Sequence, residues 1–371
     1  MKSTKGKLRV AILFGGKSAE HEVSLQSARN VIDAIDKTKF EPVLIGIDKD
    51  GLWHLHDAKP FLLDSDNSKL IALGRSSGVL SMIPGSHENQ IMAAHSRQDI
   101  GQIDVVFPVL HGPYGEDGSI QGLLKLAHVP VVGSGVLGSA IGMDKDVMKR
   151  LLRDSNIPIA DFFAFSHHQV ETIDFDAIVQ RLGLAFFVKP ANLGSSVGIS
   201  MVKKIEDFGK AIQTAFQYDR KIIIEENIPG REIECSVLGN EDPIASIPGE
   251  VITDSANYDF YSYEAKYIDE KGAVLKIPAH LSEENVEEIR EMAIAAYRSL
   301  CCEGMARVDF FLKPSGELVV NELNTIPGFT AISMYPKLWK ASAKSYTELI
   351  SDLIQLAIRR FKEEKQLKTS I

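Results

Sequence analysis

Apolar positions along the chain follow two rhythms, and the rhythm changes near residue 145. Leu8–Phe14 is a nearly unbroken apolar run stopped by Gly15-Gly16, the pattern of a strand buried on both faces. Ser24–Ile35 then places Leu25, Ala28, Val31, Ile32 and Ile35 at helical spacing. Phe40–Ile47 and Asp104–Leu110 read as further strands, Ser119–Ala127 as a helix, and Val129–Val132 as a fourth strand. Strands separated by helices predict a parallel, Rossmann-like α/β sheet with right-handed crossovers. Residues 60–102 are polar and mixed and read as a peripheral elaboration.

From Lys145 onward a helix (Asp146–Asp154) is followed by closely spaced strands: Phe186–Lys189, Ile199–Val202, Lys221–Glu225 and Glu232–Leu238. Short strands joined by Gly, Ser and Pro turns predict antiparallel or mixed sheet, hence an α+β region. Ser282–Leu300 is an amphipathic helix with a Ser-Glu-Glu start. Arg307–Leu312 and Glu317–Asn324 predict a hairpin around Lys313-Pro314-Ser315-Gly316, and Tyr346–Phe361 a closing helix.

The charge narrows the function. Of 371 residues, 41 are Lys or Arg and 50 Asp or Glu, a net charge of -9. That balance argues against a general binder of nucleic acid or of an anionic membrane. An anionic substrate must be met by local basic residues. Cys235, Cys301 and Cys302 offer neither a disulfide framework nor a Cys-rich zinc site, which fits a reducing compartment. No apolar run approaches the roughly 18 residues of a membrane span. Lys2, Lys5 and Lys7 precede only the short Val10–Phe14 run, unlike a signal peptide, so a cytoplasmic protein is expected.

Two glycine motifs invite the wrong chemistry. Gly133-Ser-Gly135-Val-Leu-Gly138 has dinucleotide-fingerprint spacing, yet no acidic residue ends a second strand about 20 residues on. Gly16-Lys17-Ser18 resembles the end of a P-loop, but the first glycine would fall at Ala11, inside the strand.

The candidate chemistry lies elsewhere. In the C-terminal hairpin, Arg307 and Asp309 share one strand face, and Glu322 and Asn324 share one face of the next. An even-length turn would set Arg307 across from Glu322, with Asp309 one step away. Two carboxylates and an amide are hard oxygen donors suited to Mg²⁺ or Mn²⁺ completed by substrate phosphates. A salt-bridged sheet face is the alternative. Lys189 ends a strand before Gly194-Ser195-Ser196-Val197-Gly198, a loop able to cradle phosphate. Tyr258–Tyr267, dense in aromatics, is a candidate lid carrying Lys266. His111-Gly112 through Gly118 follows a parallel strand at the end where open sheets bind ligands.

Together these motifs resemble the D-alanine–D-alanine ligases of the ATP-grasp superfamily. The matching pieces are Gly15-Gly16-Lys-Ser-Ala-Glu20-His-Glu-Val-Ser24, His111-Gly-x-x-Gly-Glu-Asp-Gly118, Met143-Asp-Lys145, Val188-Lys-Pro190, Gly194-Ser-Ser-Val-Gly198, Glu264-Ala-Lys-Tyr267, Arg307-Val-Asp309 and Glu322-Leu-Asn-Thr-x-Pro-Gly328. They run in family order from about residue 8 to 336.

The resemblance implies an N-terminal pre-ATP-grasp substrate domain (1–142), a nucleotide-clamping subdomain (143–230) and a C-terminal subdomain with metal site and lid (231–371). It implies ATP-dependent joining of two D-alanines through an acyl phosphate, for peptidoglycan precursors. By the same match Lys145, Lys189 and Lys266 contact ATP phosphates, and Glu225, Ile228 and Glu232 contact adenine and ribose. Asp309, Glu322 and Asn324 hold two Mg²⁺ ions, with Mn²⁺ as a substitute. Arg307 and the Gly328 N–H form an oxyanion hole. Glu20 binds the first D-alanine, with His111 nearby, and Ser333 and Met334 hold the second. Ser195 and Tyr267 link with Glu20 to lock the lid, and Tyr267 is the residue of dipeptide-forming rather than ester-forming relatives. A homodimer is the family expectation.

Overall fold

The computed structural model describes residues 6–57, 61–64, 71–86, 88–94, 100–253, 273–330 and 332–368. β1 (Leu8–Gly15) is buried from its second residue to its last. Successive side chains point to opposite faces. Val10, Ile12 and Phe14 pack with α1 (His21–Ala34), while Ala11 and Leu13 enter a second apolar cluster on the other face. β2 (Phe40–Ile47) runs parallel to β1 in a register from Leu8↔Phe40 to Gly15↔Ile47.

The sheet then turns antiparallel. β3 (Trp53–His56) pairs with β2, and a small ribbon of β4 (Leu62–Leu63) and β5 (Ala72–Leu73) stands apart. β6 (Gly78–Met82) pairs with β3 and β7 (Ile91–Ala93) with β6. β6 and β7, inside the stretch expected to be peripheral, therefore extend the sheet. On the other side of β1 lies parallel β8 (Val105–Val109). The fourth strand expected at Val129–Val132 is reduced to one parallel bridge, Val106↔Val131. Pro130 offers a carbonyl to Val106 but has no N–H to continue a ladder.

α2 (Ser119–Leu126), α3 (Val136–Met143) and α4 (Lys145–Asp154) follow. The last glycine of the Gly133–Gly138 run lies inside α3 and serves packing. A Cβ on Gly138 would stand 2.5 Å from the Cys301 carbonyl oxygen, so only glycine lets the helix approach that chain. The Asp144 side chain caps α4 by accepting from the N–H of Asp146 and of Val147.

β9 (Phe162–Ser166), α5 (Phe175–Leu182), β10 (Phe186–Pro190), β11 (Ser200–Val202), α6 (Ile205–Tyr218) and β12 (Lys221–Glu226) make a four-stranded antiparallel sheet in the order β11-β10-β12-β9. Phe186, Val188, Ile222 and Ile224 face the two helices. Alternation therefore turns Phe187, Lys189 and Glu225 the other way.

The third sheet holds β13 (Arg231–Gly239), β14 (Ile244–Ala245), β15 (Gly249–Thr253), β16 (Ala273–Lys276), β17 (Gly304–Leu312) and β18 (Leu318–Asn324). α7 (Glu283–Ser299), capped by Ser282, covers the face carrying Cys235, Val237, Val308 and Phe310. α8 (Met334–Ala341) and α9 (Tyr346–Glu364) complete the chain. α9 returns to the first sheet: Leu349, Ile350, Leu353 and Ile354 share a cluster with Val10 and Phe14. Arg360 at its end donates to the carbonyls of Val131 and Gly133, each at 2.8 Å. Among the described residues, no helix is long and apolar enough to cross a membrane.

Candidate active site

A cleft of about 290 Å³ separates the second sheet from the third. Lys145, Lys189, Ser195, Glu225, Ile228, Glu232, Asp309 and Glu322 all line it. Of the residues expected there on sequence grounds, Asn324 stands outside the lining, its side-chain amide donating to Asp309 at 3.0 Å, and Lys266 lies outside the described residues.

On the second-sheet side, Glu225 is almost wholly buried and is shared by two lysines, Lys149 at Oε1 and Lys189 at Oε2. Burial pushes the Glu225 carboxyl up, but the two ammonium groups outweigh it and hold the acid below its ordinary range. For Lys149, burial dominates over Glu225 and pushes the ammonium down. Lys145, at the start of α4, reaches across to the Leu193 carbonyl at 2.7 Å and to Glu322 at 3.3 Å.

On the third-sheet side the hairpin differs from the expected register. Arg307 stands opposite Asn324, and Asp309 opposite Glu322. The pairing Leu312↔Leu318 leaves a five-residue connection rather than an even one. A register shift at Asp309/Phe310 then leaves Asn321 as the extra residue of a bulge. The odd connection alone would set Glu322 opposite apolar Val308. The bulge adds a second one-residue slip and returns polar side chains to polar partners. Arg307 makes two bonds of 2.7 Å to Asp309 and a 2.9 Å pair with Glu234. Burial opposes its charge, yet Asp309 and Glu234 hold the guanidinium well above its ordinary value.

Beyond this cleft, Glu20 at the start of α1 accepts a hydrogen bond from the Ser195 hydroxyl. That contact ties the glycine-serine loop to the first sheet. A Cβ built on Gly112 would lie 2.9 Å from a Glu20 oxygen, so the His111 loop abuts the same carboxylate. His111 bonds to Ser27 Oγ and to the Ile326 carbonyl, both at 3.2 Å. Burial pushes its imidazole below the ordinary range, Glu20 opposes this, and Arg307 adds to it. Gly328 sits against Ser333: a Cβ there would be 2.8 Å from the Ser333 hydroxyl. Ser333 Oγ in turn accepts from the Thr330 N–H at 3.1 Å, and Met334 opens α8 in a buried position.

The loop around Gly328 is also held by residues that motif reading did not single out. Glu116 accepts from the N–H of Gly112 at 2.7 Å and of Ile326 at 3.2 Å. Burial and the nearby Glu20 push its carboxyl up to about 8, against those two bonds. Ser27 accepts from the Phe329 N–H at 3.4 Å, and Tyr346 donates to the Phe329 carbonyl at 2.6 Å. Phe187, whose ring lies 5.3 Å from the Lys189 ammonium, is a further cleft residue. Strand alternation from Phe186 could have flagged it. Lys266 and Tyr267 lie outside the described residues.

A cleft clasped between two antiparallel sheets, beside a domain whose mixed sheet has a parallel centre, is the ATP-grasp arrangement. The family profile described as D-ala D-ala ligase N-terminus matches residues 9–134, and that described as D-ala D-ala ligase C-terminus matches 151–355. The chain belongs to the D-alanine–D-alanine ligase family. It is 54% identical over 364 residues to the D-alanine–D-alanine ligase of Oceanobacillus iheyensis, covering 98% of this chain and 99% of that one. It is 53% identical to D-alanine–D-alanine ligase A of Escherichia coli, over 98% and 100% of the two chains. The solved D-alanine–D-alanine ligase of Coxiella burnetii superposes with a TM-score of 0.84 at 37% identity, over 97% of each chain. The VanG D-Ala:D-Ser ligase of Enterococcus faecalis superposes at 0.82 and 35%, over 95% and 99%.

Proposed function

We propose that this chain joins two D-alanines at the expense of ATP, yielding D-alanyl-D-alanine, ADP and phosphate for peptidoglycan precursor synthesis. The observation that carries the reading is the convergence of Lys145 and Lys189 with Asp309 and Glu322 on one cleft. Phosphoryl transfer needs positioning and charge neutralisation rather than covalent help, and those side chains supply both.

ATP lies in the cleft with its adenine between Phe187 and Ile228, near Glu225 and Glu232. Lys145, Lys189 and Lys266 hold its phosphates. Two carboxylates and an amide, Asp309, Glu322 and Asn324, are too few for a protein cage and fit Mg²⁺ that keeps phosphate oxygens as ligands. Two bound Mg²⁺ ions, or Mn²⁺ in their place, supply neutralisation of the charge that develops on the transferred group.

Glu20 binds the ammonium of the first D-alanine, and Ser195 and Tyr267 fix Glu20 and close the lid. The carboxylate of that D-alanine attacks the γ-phosphorus, and the γ-phosphoryl group leaves ADP as an acyl phosphate forms. The second D-alanine, its carboxylate held at Ser333 and at Met334, attacks the acyl carbon through its neutral amine. Arg307 and the Gly328 N–H stabilise the resulting oxyanion. Collapse breaks the acyl carbon–oxygen bond, the departing phosphate takes up the amine proton as hydrogen phosphate, and the peptide bond is left. Residues 1–142, 143–230 and 231–371 then act as substrate domain, nucleotide clamp, and metal and lid subdomain.

The test is ATP titration of wild type and Lys189→Ala by calorimetry, beside D-alanine-dependent ADP formation. The proposal expects weaker ATP binding and slower ADP formation in the variant. Unchanged ATP binding would remove Lys189 and its cleft from the nucleotide site.

A further inference from the structure

The cleft leaves one buried cation without a role. Lys149 is 1% exposed and lies one turn beyond Lys145 on α4, behind the cleft rather than in its lining. Positions four apart share a helix face, so the two lysines point the same way at different depths. A buried ammonium requires partners. Among the described residues Lys149 pairs with Glu225 Oε1 and donates to the Asn321 carbonyl at 3.2 Å. The second partner belongs to the bulge residue, which the register shift leaves outside the strand pairing.

We infer that Lys149 is a positioning residue of the nucleotide site, the standing partner of Glu225 that lets Lys189 leave this carboxylate for the phosphates of ATP. The inference rests on the nucleotide reading of the cleft given above. In the structure one carboxylate serves two ammonium groups, at its two oxygens. If Lys189 were the sole partner, its departure would strand a buried carboxylate, and the pair would resist opening. With Lys149 fixed at Oε1, Glu225 stays paired when Lys189 turns away. The same ammonium, through the Asn321 carbonyl, sets the adenine wall against the strand that carries Glu322.

A double-mutant cycle in the full-length chain tests this. Lys149→Met, Glu225→Gln, the double variant and Lys189→Ala are compared by ATP calorimetry and by KM for ATP and for D-alanine. Thermal unfolding checks each for folding. Lys149→Met is expected to raise the ATP KM by about tenfold, the scale of a lost charged hydrogen bond, with the D-alanine KM within about twofold. In the Glu225→Gln background, which has no buried charge to strand, the same substitution is expected to add less than about twofold. If Lys149→Met does not fold, Lys149→Gln keeps a donor for Asn321 and is read in the same cycle.

Equal changes in both KM values, or an undiminished effect in the Glu225→Gln background, would show a merely structural lysine and overturn the inference. If Lys189→Ala weakens ATP binding while the Lys149 variants bind normally, the inference alone fails. If Lys189→Ala also binds ATP normally, the nucleotide reading fails with it.

Discussion

Asp309 faces Glu322 across the β17–β18 hairpin although the connection between the strands is odd in length. A bulge at Asn321 compensates, and the carboxylates meet on the cleft side while Val308 and Leu323 meet in the core. The two acids are not equivalent. Asp309 also neutralises buried Arg307, whereas Glu322 pairs with Lys145 at the cleft.

This asymmetry separates function from stability. Glu322→Gln is expected to lower turnover by about 10²-fold or more while leaving the unfolding midpoint nearly unchanged. Asp309→Ala is expected to lose turnover and also about 3–5 kcal/mol of stability, because the buried Arg307 loses its two-bond partner. Chemical denaturation beside phosphate release distinguishes them, and equal stability of the two variants would contradict the shared role of Asp309.

Glu116 makes stability depend on pH in an unusual direction. Its folded-state carboxyl is pushed up to about 8, above the ordinary value of 4.5. Between those values the folded chain retains a proton that the unfolded chain releases, so stability falls as pH rises. The advantage of wild type over Glu116→Gln in melting temperature is therefore expected to shrink from pH 5 to pH 8. A constant difference across that window would show that Glu116 is ionised throughout.

Ser195 links its loop to Glu20 through a single hydroxyl. Ser195→Ala is expected to raise the D-alanine KM by roughly three- to tenfold, the range of one hydrogen bond, with no loss of folding. Initial rates over a D-alanine series measure it, and an unchanged KM would detach this contact from substrate binding.

Gly328→Ala tests the oxyanion loop. The new Cβ would stand 2.8 Å from the Ser333 hydroxyl, which already accepts from the Thr330 N–H. Ser333 must shift, so kcat is expected to fall about 10²-fold, as for a lost oxyanion donor. Wild-type turnover would remove Gly328 from the reacting centre.

Much of this was legible from local pattern. The β2 bounds agree with the apolar run Phe40–Ile47, and the alternation around Val308 and Leu323 placed four polar side chains on one face. The hairpin register was not legible, because connection length and bulge are set by backbone hydrogen bonds that the alternation does not encode. β6 and β7 were missed because their residues alternate weakly within a polar stretch. Lys149 reads as an ordinary lysine until a strand 76 residues later brings Glu225 to it; Glu116 likewise gains its meaning only from the Ile326 N–H.

The central claim is the reaction, and the most direct measurement is phosphate release from MgATP with D-alanine, L-alanine, or D-alanine plus D-lactate or D-serine, with products identified by mass. Release that depends on D-alanine, with D-alanyl-D-alanine as product, is the predicted result. Absence of turnover with either alanine enantiomer would contradict it, and the assignments of Glu20, Ser333 and Met334 to D-alanine would fall.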